Sequence, residues 1–106
     1  MDEAHLANIR KCPCCVCRKM PAGEAHHLQS SGERGMSLRT TDKWTVPLCT
    51  THHTGADGVH LVGSKREAEW FETRGIDAVW LASALWKTRG DLAAMVNIVL
   101  THAGKP

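Results

Sequence analysis

Four of the five cysteines in this 106-residue chain fall within six positions, Cys12-Pro13-Cys14-Cys15-Val16-Cys17, and the fifth, Cys49, stands far along the chain in Cys49-x2-His52. Neighbours this close cannot easily meet disulfide geometry with one another, so only Cys49 remains as a distant partner and a disulfide framework is not expected. In a reducing compartment, clustered cysteines with histidines elsewhere point to metal ligation. Cys14-x2-Cys17 and Cys49-x2-His52 supply two donor pairs, each spaced so that a tight turn aims both donors at one tetrahedral ion, and zinc prefers thiolate and imidazole. Cys12-x2-Cys15 has the same spacing and leaves a second register open. Pro13 and Arg18, flanking the pair as knuckle residues, favour Cys14 and Cys17. A structural zinc would also help a domain whose length leaves little apolar surface to spare.

One domain is expected over residues 1–106, its character changing near residue 64. Before that point Cys, His, Gly and Pro suit turns and ligand-bearing loops; after it the pattern is helical. Asp2 predicts a capped helix through about Ile9, with Leu6 and Ile9 inward. The runs Glu24–Gln29 and Trp44–Leu48 predict two short strands, Pro47 hinting at an edge, with a long loop between them carrying Gly32 and Gly35. A short helix from Thr50 or Thr51 carries His52 and His53 and should end quickly at Gly55 and Gly58. Ser64-x2-Glu67 spells a capping box for a helix that carries Ala68, Trp70 and Phe71 and stops at Gly75. Asp77 caps a further helix through about Lys87, with Val79, Leu81, Ala82, Leu85 and Trp86. After Gly90-Asp91 the residues Leu92, Met95, Val96, Val99 and Leu100 form one apolar stripe on a 3.6-residue period. For these Trp, Leu and Met positions, packing in a core is the expected role.

His26-His27 is the second chemical signal. Adjacent residues on a strand point to opposite faces, so one ring can coordinate a metal while the other, with an intrinsic pKa near neutrality, acts on a water as general base. His53 turns a further imidazole away from His52, and His60 offers another.

The order Cys14-x2-Cys17, Ala25-His26-His27-Leu28, then Asp42-Lys43-Trp44-Thr45-Val46-Pro47-Leu48-Cys49-x2-His52-His53 resembles the HNH (ββα-metal, His-Me finger) endonuclease superfamily over roughly residues 12–75. More narrowly, it is similar to small phage and prophage HNH proteins associated with recombination. The resemblance implies an α+β fold, a zinc-stapled ββα-metal core of treble-clef-like form over residues 12–63 with additional C-terminal helices over residues 64–106. It implies His26 and His53 as ligands of a catalytic Mg²⁺ or Mn²⁺, His27 as general base, and a structural zinc on Cys14, Cys17, Cys49 and His52. The activity implied is hydrolysis of DNA phosphodiesters, leaving a 5′ phosphate and a 3′ hydroxyl. The chain differs from the family pattern in two places. The middle Asn is absent before Pro47-Leu48-Cys49, with Asp42 the nearest polar residue to tie the loop and orient His27. The third metal histidine, His60, lies seven residues beyond His53 across Gly55 and Gly58, so a loop must deliver it or Asp57 or a water replaces it.

Net charge is only +2, yet between Arg10 and Thr50 seven basic residues face three acidic ones, a local net of +4. Arg34, Arg39 and Lys43, in and beside the long loop, are placed to contact a nucleic-acid backbone, which gives affinity without sequence preference. The opening Met1-Asp2-Glu3-Ala4-His5 is acidic and polar, and no apolar stretch reaches membrane-spanning length, so a soluble cytoplasmic protein, monomeric or dimeric, is expected. Two other readings compete. One is a non-catalytic zinc module that binds nucleic acid or a protein partner; the other, a redox thiol protein, lacks a βαβ pattern around its cysteine pairs.

Overall fold

The computed structural model describes residues 2–29 and 42–102. Within them lie five α-helices and one two-stranded antiparallel sheet, an α+β arrangement. The first helix, α1 (Glu3–Lys11), starts where the Asp2 carboxylate accepts the His5 N–H at 3.0 Å and carries Glu3 in its first turn with Arg10 and Lys11 in its last. Both ends therefore complement the helix dipole. Leu6 and Ile9 face inward, and the helix runs two residues past Ile9 before Cys12 closes it.

The strands are β1 (Glu24–His27) and β2 (Thr45–Leu48), in the register Glu24↔Leu48, Ala25↔Pro47, His26↔Val46 and His27↔Thr45. On the free side of β2 the Cys15 N–H donates to the Pro47 carbonyl at 3.0 Å. The cysteine turn thus grips the sheet through its backbone before any side chain is considered. A single helical turn, α2 (Thr50–His53), follows β2 directly, with Cys49 as its N-cap.

Three helices complete the fold: α3 (Glu67–Glu72), α4 (Ala78–Lys87) and α5 (Leu92–His102). Asp77 caps α4 by accepting the Trp80 N–H, and Asp91 accepts the Ala94 N–H at the start of α5. Gly75, at a φ of 74°, lets the Ile76 N–H return to the Phe71 carbonyl and stop α3; a side chain there would be strained. Leu81, Leu85, Met95 and Val99 are fully buried in one cluster with Ile9, Leu28, Val46, Leu48 and Phe71. Each such side chain contributes about 1.5–3 kcal/mol relative to exposure. The sheet and the cysteine turn therefore share their core with the C-terminal helices.

Two expectations are corrected. Ser64 does not open a capped helix: residues Ser64–Arg66 form a 3-10 turn, and α3 begins at Glu67 with no side-chain cap. The inward positions of α3 are Glu67, Trp70 and Phe71. Leu100 is 42% exposed, since the apolar stripe of α5 runs on past the surface that α4 covers. Among the described residues, no helix is long and apolar enough to cross a membrane.

His5 is buried on α1 with neither ring nitrogen hydrogen-bonded, its ring set edge-on to Trp86 at 5.1 Å. Burial holds its pKa below the ordinary 6.5; Asp2 and Asp42 oppose that shift and Arg89 adds to it. The native state therefore resists a proton that the unfolded chain accepts, and this residue's contribution to stability falls as pH drops through about 6.5. His5→Leu should flatten the decline in stability between neutral and mildly acidic pH, measured by urea unfolding of both proteins across that range. An unchanged pH profile would reject the assignment.

Candidate metal centres

The first centre is assembled from two turns. After α1 ends at Cys12, the chain reverses through Cys14–Cys17, with the Arg18 N–H on the Cys14 carbonyl at 2.8 Å and the Cys14 N–H on the Lys19 carbonyl at 2.9 Å. Arg18 takes a φ of 67° to close this turn. The opposing pair comes from the end of β2, where the Cys49 carbonyl accepts the N–H groups of His52 and His53 and holds His52 beside Cys49. The donor atoms of Cys14, Cys17, Cys49 and His52 all lie within 4.8 Å of one another. Cys17 Sγ is 3.7 Å from Cys49 Sγ, and His52 Nδ1 is 3.9 Å from Cys14 Sγ and 3.2 Å from Cys49 Sγ. A tetrahedron closed at ordinary metal–thiolate and metal–imidazole bond lengths has edges of ~3.8 Å between sulfurs and ~3.6 Å between sulfur and nitrogen. This quartet could hold a metal ion.

Of the two registers that spacing allows, Cys14 and Cys17 are the pair that meets Cys49 and His52. Cys12 and Cys15 are buried as well, but their thiols are not among the donor atoms that gather with those of Cys49 and His52. Burial pushes the Cys12 thiol up to about 11 and Cys15 well above its ordinary range, as expected of thiols packed among apolar groups. Burial also raises Cys14, to about 11, against backbone hydrogen bonds at Cys17, Cys49 and Val16. At Cys49 burial works in the same direction, but hydrogen bonds from the His52 backbone, Cys17, Cys14 and the Thr51 backbone outweigh it and lower the pKa.

The second centre is built entirely of imidazoles. His26 faces inward from β1, its ring centroid 5.1 Å from that of His53 and 5.3 Å from that of His60. His53 Nε2 and His60 Nε2 stand 3.2 Å apart, and all three residues offer donor atoms within 4.8 Å of one another. The loop that delivers His60 depends on two close backbone approaches. A Cβ on Gly58 would lie 2.6 Å from the His53 carbonyl oxygen, and one on Gly55 2.8 Å from Thr51 Cα. The chain therefore doubles back tightly on α2 and presents His60 from the 3-10 turn Val59–Leu61. Asp57, weighed as a substitute for His60, instead stands 3.5 Å from His52 Nε2 and 2.9 Å from the Arg74 guanidinium. The geometry of the turn aims it at the other centre.

Each ring in these centres except His60 also meets a carboxylate. His26 Nε2 is 2.7 Å from Glu67 Oε2, and His53 Nδ1 is 2.6 Å from Glu24 Oε1. A hydrogen bond from Thr50 and then one from His53 hold Glu24 below the usual carboxylate range. His27 points away from this group, as strand alternation requires, and its Nε2 is 3.0 Å from Asp42 Oδ1. The hydrogen bond from His27, with one from the Asp2 backbone N–H, lowers the Asp42 pKa. His27 is about a third exposed and Asp42 nearly buried. Of the residues expected at a nucleic-acid backbone, Lys43 lies with its ammonium 4.8 Å above the Trp44 ring. Arg34 and Arg39 fall outside the described residues.

Sequence reasoning missed Glu24 and Glu67. Glu24 sits two positions from His26 on a strand and pairs with a histidine 29 residues away; Glu67 looked like a capping residue and pairs 41 residues back. No local spacing encodes either contact.

A family model described as a protein of unknown function (DUF968) matches residues 1–76. A 53-residue stretch, half of the chain, is 44% identical to the uncharacterized protein YdfU of Escherichia coli (strain K12) and spans 15% of that relative's length. No solved structure gives a significant match.

Two outcomes follow from the geometry. Replacing Cys14 or Cys17 by Ser should remove a tightly bound metal and lower the melting temperature, whereas Cys12→Ser should retain full metal content; atomic emission analysis of the purified variants would expose the opposite register. Gly58→Ala should destabilise the protein by about 1–3 kcal/mol, because the blocking atoms are backbone and cannot rotate away. Chemical denaturation reads that difference, and an unchanged midpoint would contradict the close approach.

Proposed function

We propose that this chain, which belongs to the DUF968 family, is a metal-dependent phosphodiester hydrolase of the HNH kind acting on DNA. The observation that carries the reading is the division of labour across β1: His26 meets His53 and His60 on one face, while His27 meets Asp42 on the other. A ββα-metal reading assigns β1, β2 and α2 to the elements around the ion, with the α3–α5 helices as an addition.

His27 is the general base. With Nε2 donating to Asp42, Nδ1 is left to take the proton of an attacking water, and Asp42 orients the ring and stabilises the imidazolium that forms. Partial exposure gives that water access. His26, His53 and His60 would hold a divalent ion, which supplies positive charge to a nonbridging phosphate oxygen and to the departing 3′ oxygen. Mg²⁺ or Mn²⁺ is the ion that the family resemblance implies. Three imidazole donors favour Mn²⁺ and its heavier neighbours over Mg²⁺, which prefers oxygen. The Cys14, Cys17, Cys49, His52 quartet, with four protein donors, suits a closed structural zinc site. A cleft of about 330 Å³ lined by His26, Gln29, His60, Ser64 and Glu67 gives the imidazole face access to a ligand. Lys43, with Arg34 and Arg39, is assigned to backbone contact.

His27→Ala should keep both metal contents and the fold while reducing Mn²⁺-dependent nicking of supercoiled plasmid by about 10²–10⁴-fold. Undiminished cutting by the variant would remove His27 from the mechanism. A wild-type protein that binds both ions yet cuts no DNA would favour the non-catalytic zinc module.

A further inference from the structure

We propose that Glu67 is a positioning residue for the imidazole centre, fixing His26 in the tautomer that leaves Nδ1 bare for a transition-metal ion. The inference rests on the metal reading of His26, His53 and His60 and adds to it a residue outside the motif segment. Both partners are buried, His26 at 3% exposure and Glu67 at 3%. A carboxylate removed from water must be satisfied at both oxygens or it destabilises the fold. Glu67 meets that requirement with two donors from one strand end: Oε2 lies 2.7 Å from His26 Nε2, and Oε1 accepts the Gln29 backbone N–H at 2.9 Å. The start of α3 is stapled to the end of β1 through the side chain that faces the cleft.

The ring chemistry follows. A nitrogen that donates its proton to a carboxylate cannot also coordinate an ion, so Nε2 is committed and Nδ1 keeps its lone pair. The carboxylate also fixes the orientation of the ring, as the outer partners of metal-bound histidines do. His53 repeats the pattern, with Nδ1 on Glu24 and Nε2 turned towards His60 at 3.2 Å. Glu24 is partly exposed and also serves Thr50, whereas the contacts of Glu67 are His26 and the Gln29 amide. Helix α3 meanwhile has no side-chain cap, although Ser64-x2-Glu67 spells one. The local preference of the glutamate yields to the histidine.

The test uses the full chain with its cysteine quartet loaded with zinc, titrated with Co²⁺ and followed by its visible ligand-field bands. Sulfur charge-transfer bands would flag exchange at the quartet. One Co²⁺ should bind per chain and be lost in His26→Ala; Glu67→Gln should weaken it by about 10–100-fold with zinc content unchanged. Nitrogen NMR of the metal-free wild type should find His26 protonated at Nε2, and Glu67→Gln should shift the ring towards a mixture of tautomers. Wild-type His26 protonated at Nδ1 overturns the proposal without recourse to any variant. So does Co²⁺ bound equally tightly by wild type and Glu67→Gln. Absence of a Co²⁺ site sensitive to His26→Ala overturns instead the metal reading on which the proposal stands.

Discussion

Four residues of antiparallel pairing, Glu24–His27 against Thr45–Leu48, set the positions on which everything chemical in this molecule depends. The pairing has a period of two, so the register His26↔Val46 places His26 in the interior and His27 at the edge of solvent; a slip of one residue would exchange them. The end of β2 carries Cys49 and then α2 without an intervening loop, so the same register also determines where His52 and His53 emerge. Consecutive residues thus part company at two places: His52 joins the cysteine quartet and His53 the imidazole centre, while His26 meets His53 and His27 turns to Asp42.

A pair of four-residue strands cannot hold such a register alone. It is supported on one side by α1 and the cysteine turn, whose Cys15 amide extends the backbone pairing to Pro47, and on the other by α4 and the core that α4 shares with α5. The C-terminal helices are therefore part of the site's foundation. Through Glu67, α3 reaches the site itself.

The polar interior follows one rule. With His60 excepted, the imidazoles in the two centres and at His27 are each held by a carboxylate from a different part of the chain: His26 by Glu67, His53 by Glu24, His52 by Asp57 and His27 by Asp42. Such pairs cost desolvation when buried and offset it only through good geometry, which makes them poor devices for stability and good ones for orientation. His5 stands outside the rule: it is buried among apolar groups with neither nitrogen bonded, and its cost appears as acid sensitivity.

Much of this was legible in the sequence because it is local. The spacings Cys14-x2-Cys17 and Cys49-x2-His52, the alternation of His26 and His27, and the caps Asp2 and Asp77 each act within a few residues, where backbone geometry leaves little choice. Spacing left Cys14–Cys17 and Cys12–Cys15 equivalent and only the flanking Pro13 and Arg18 favoured the first; the tertiary fold brings the donors of Cys14 and Cys17 to Cys49 and His52. His60 was unplaced for the same kind of reason, as its approach depends on Gly58 folding onto the His53 carbonyl. Glu67 was misread, because a capping box is a short-range pattern and the competing partner is a histidine 41 residues away. The sequence by itself determined which atoms could ligate and where α1 and α4 start. Only the tertiary structure decided which donors meet and which carboxylate holds which ring, because those are contacts between distant segments whose energies depend on burial.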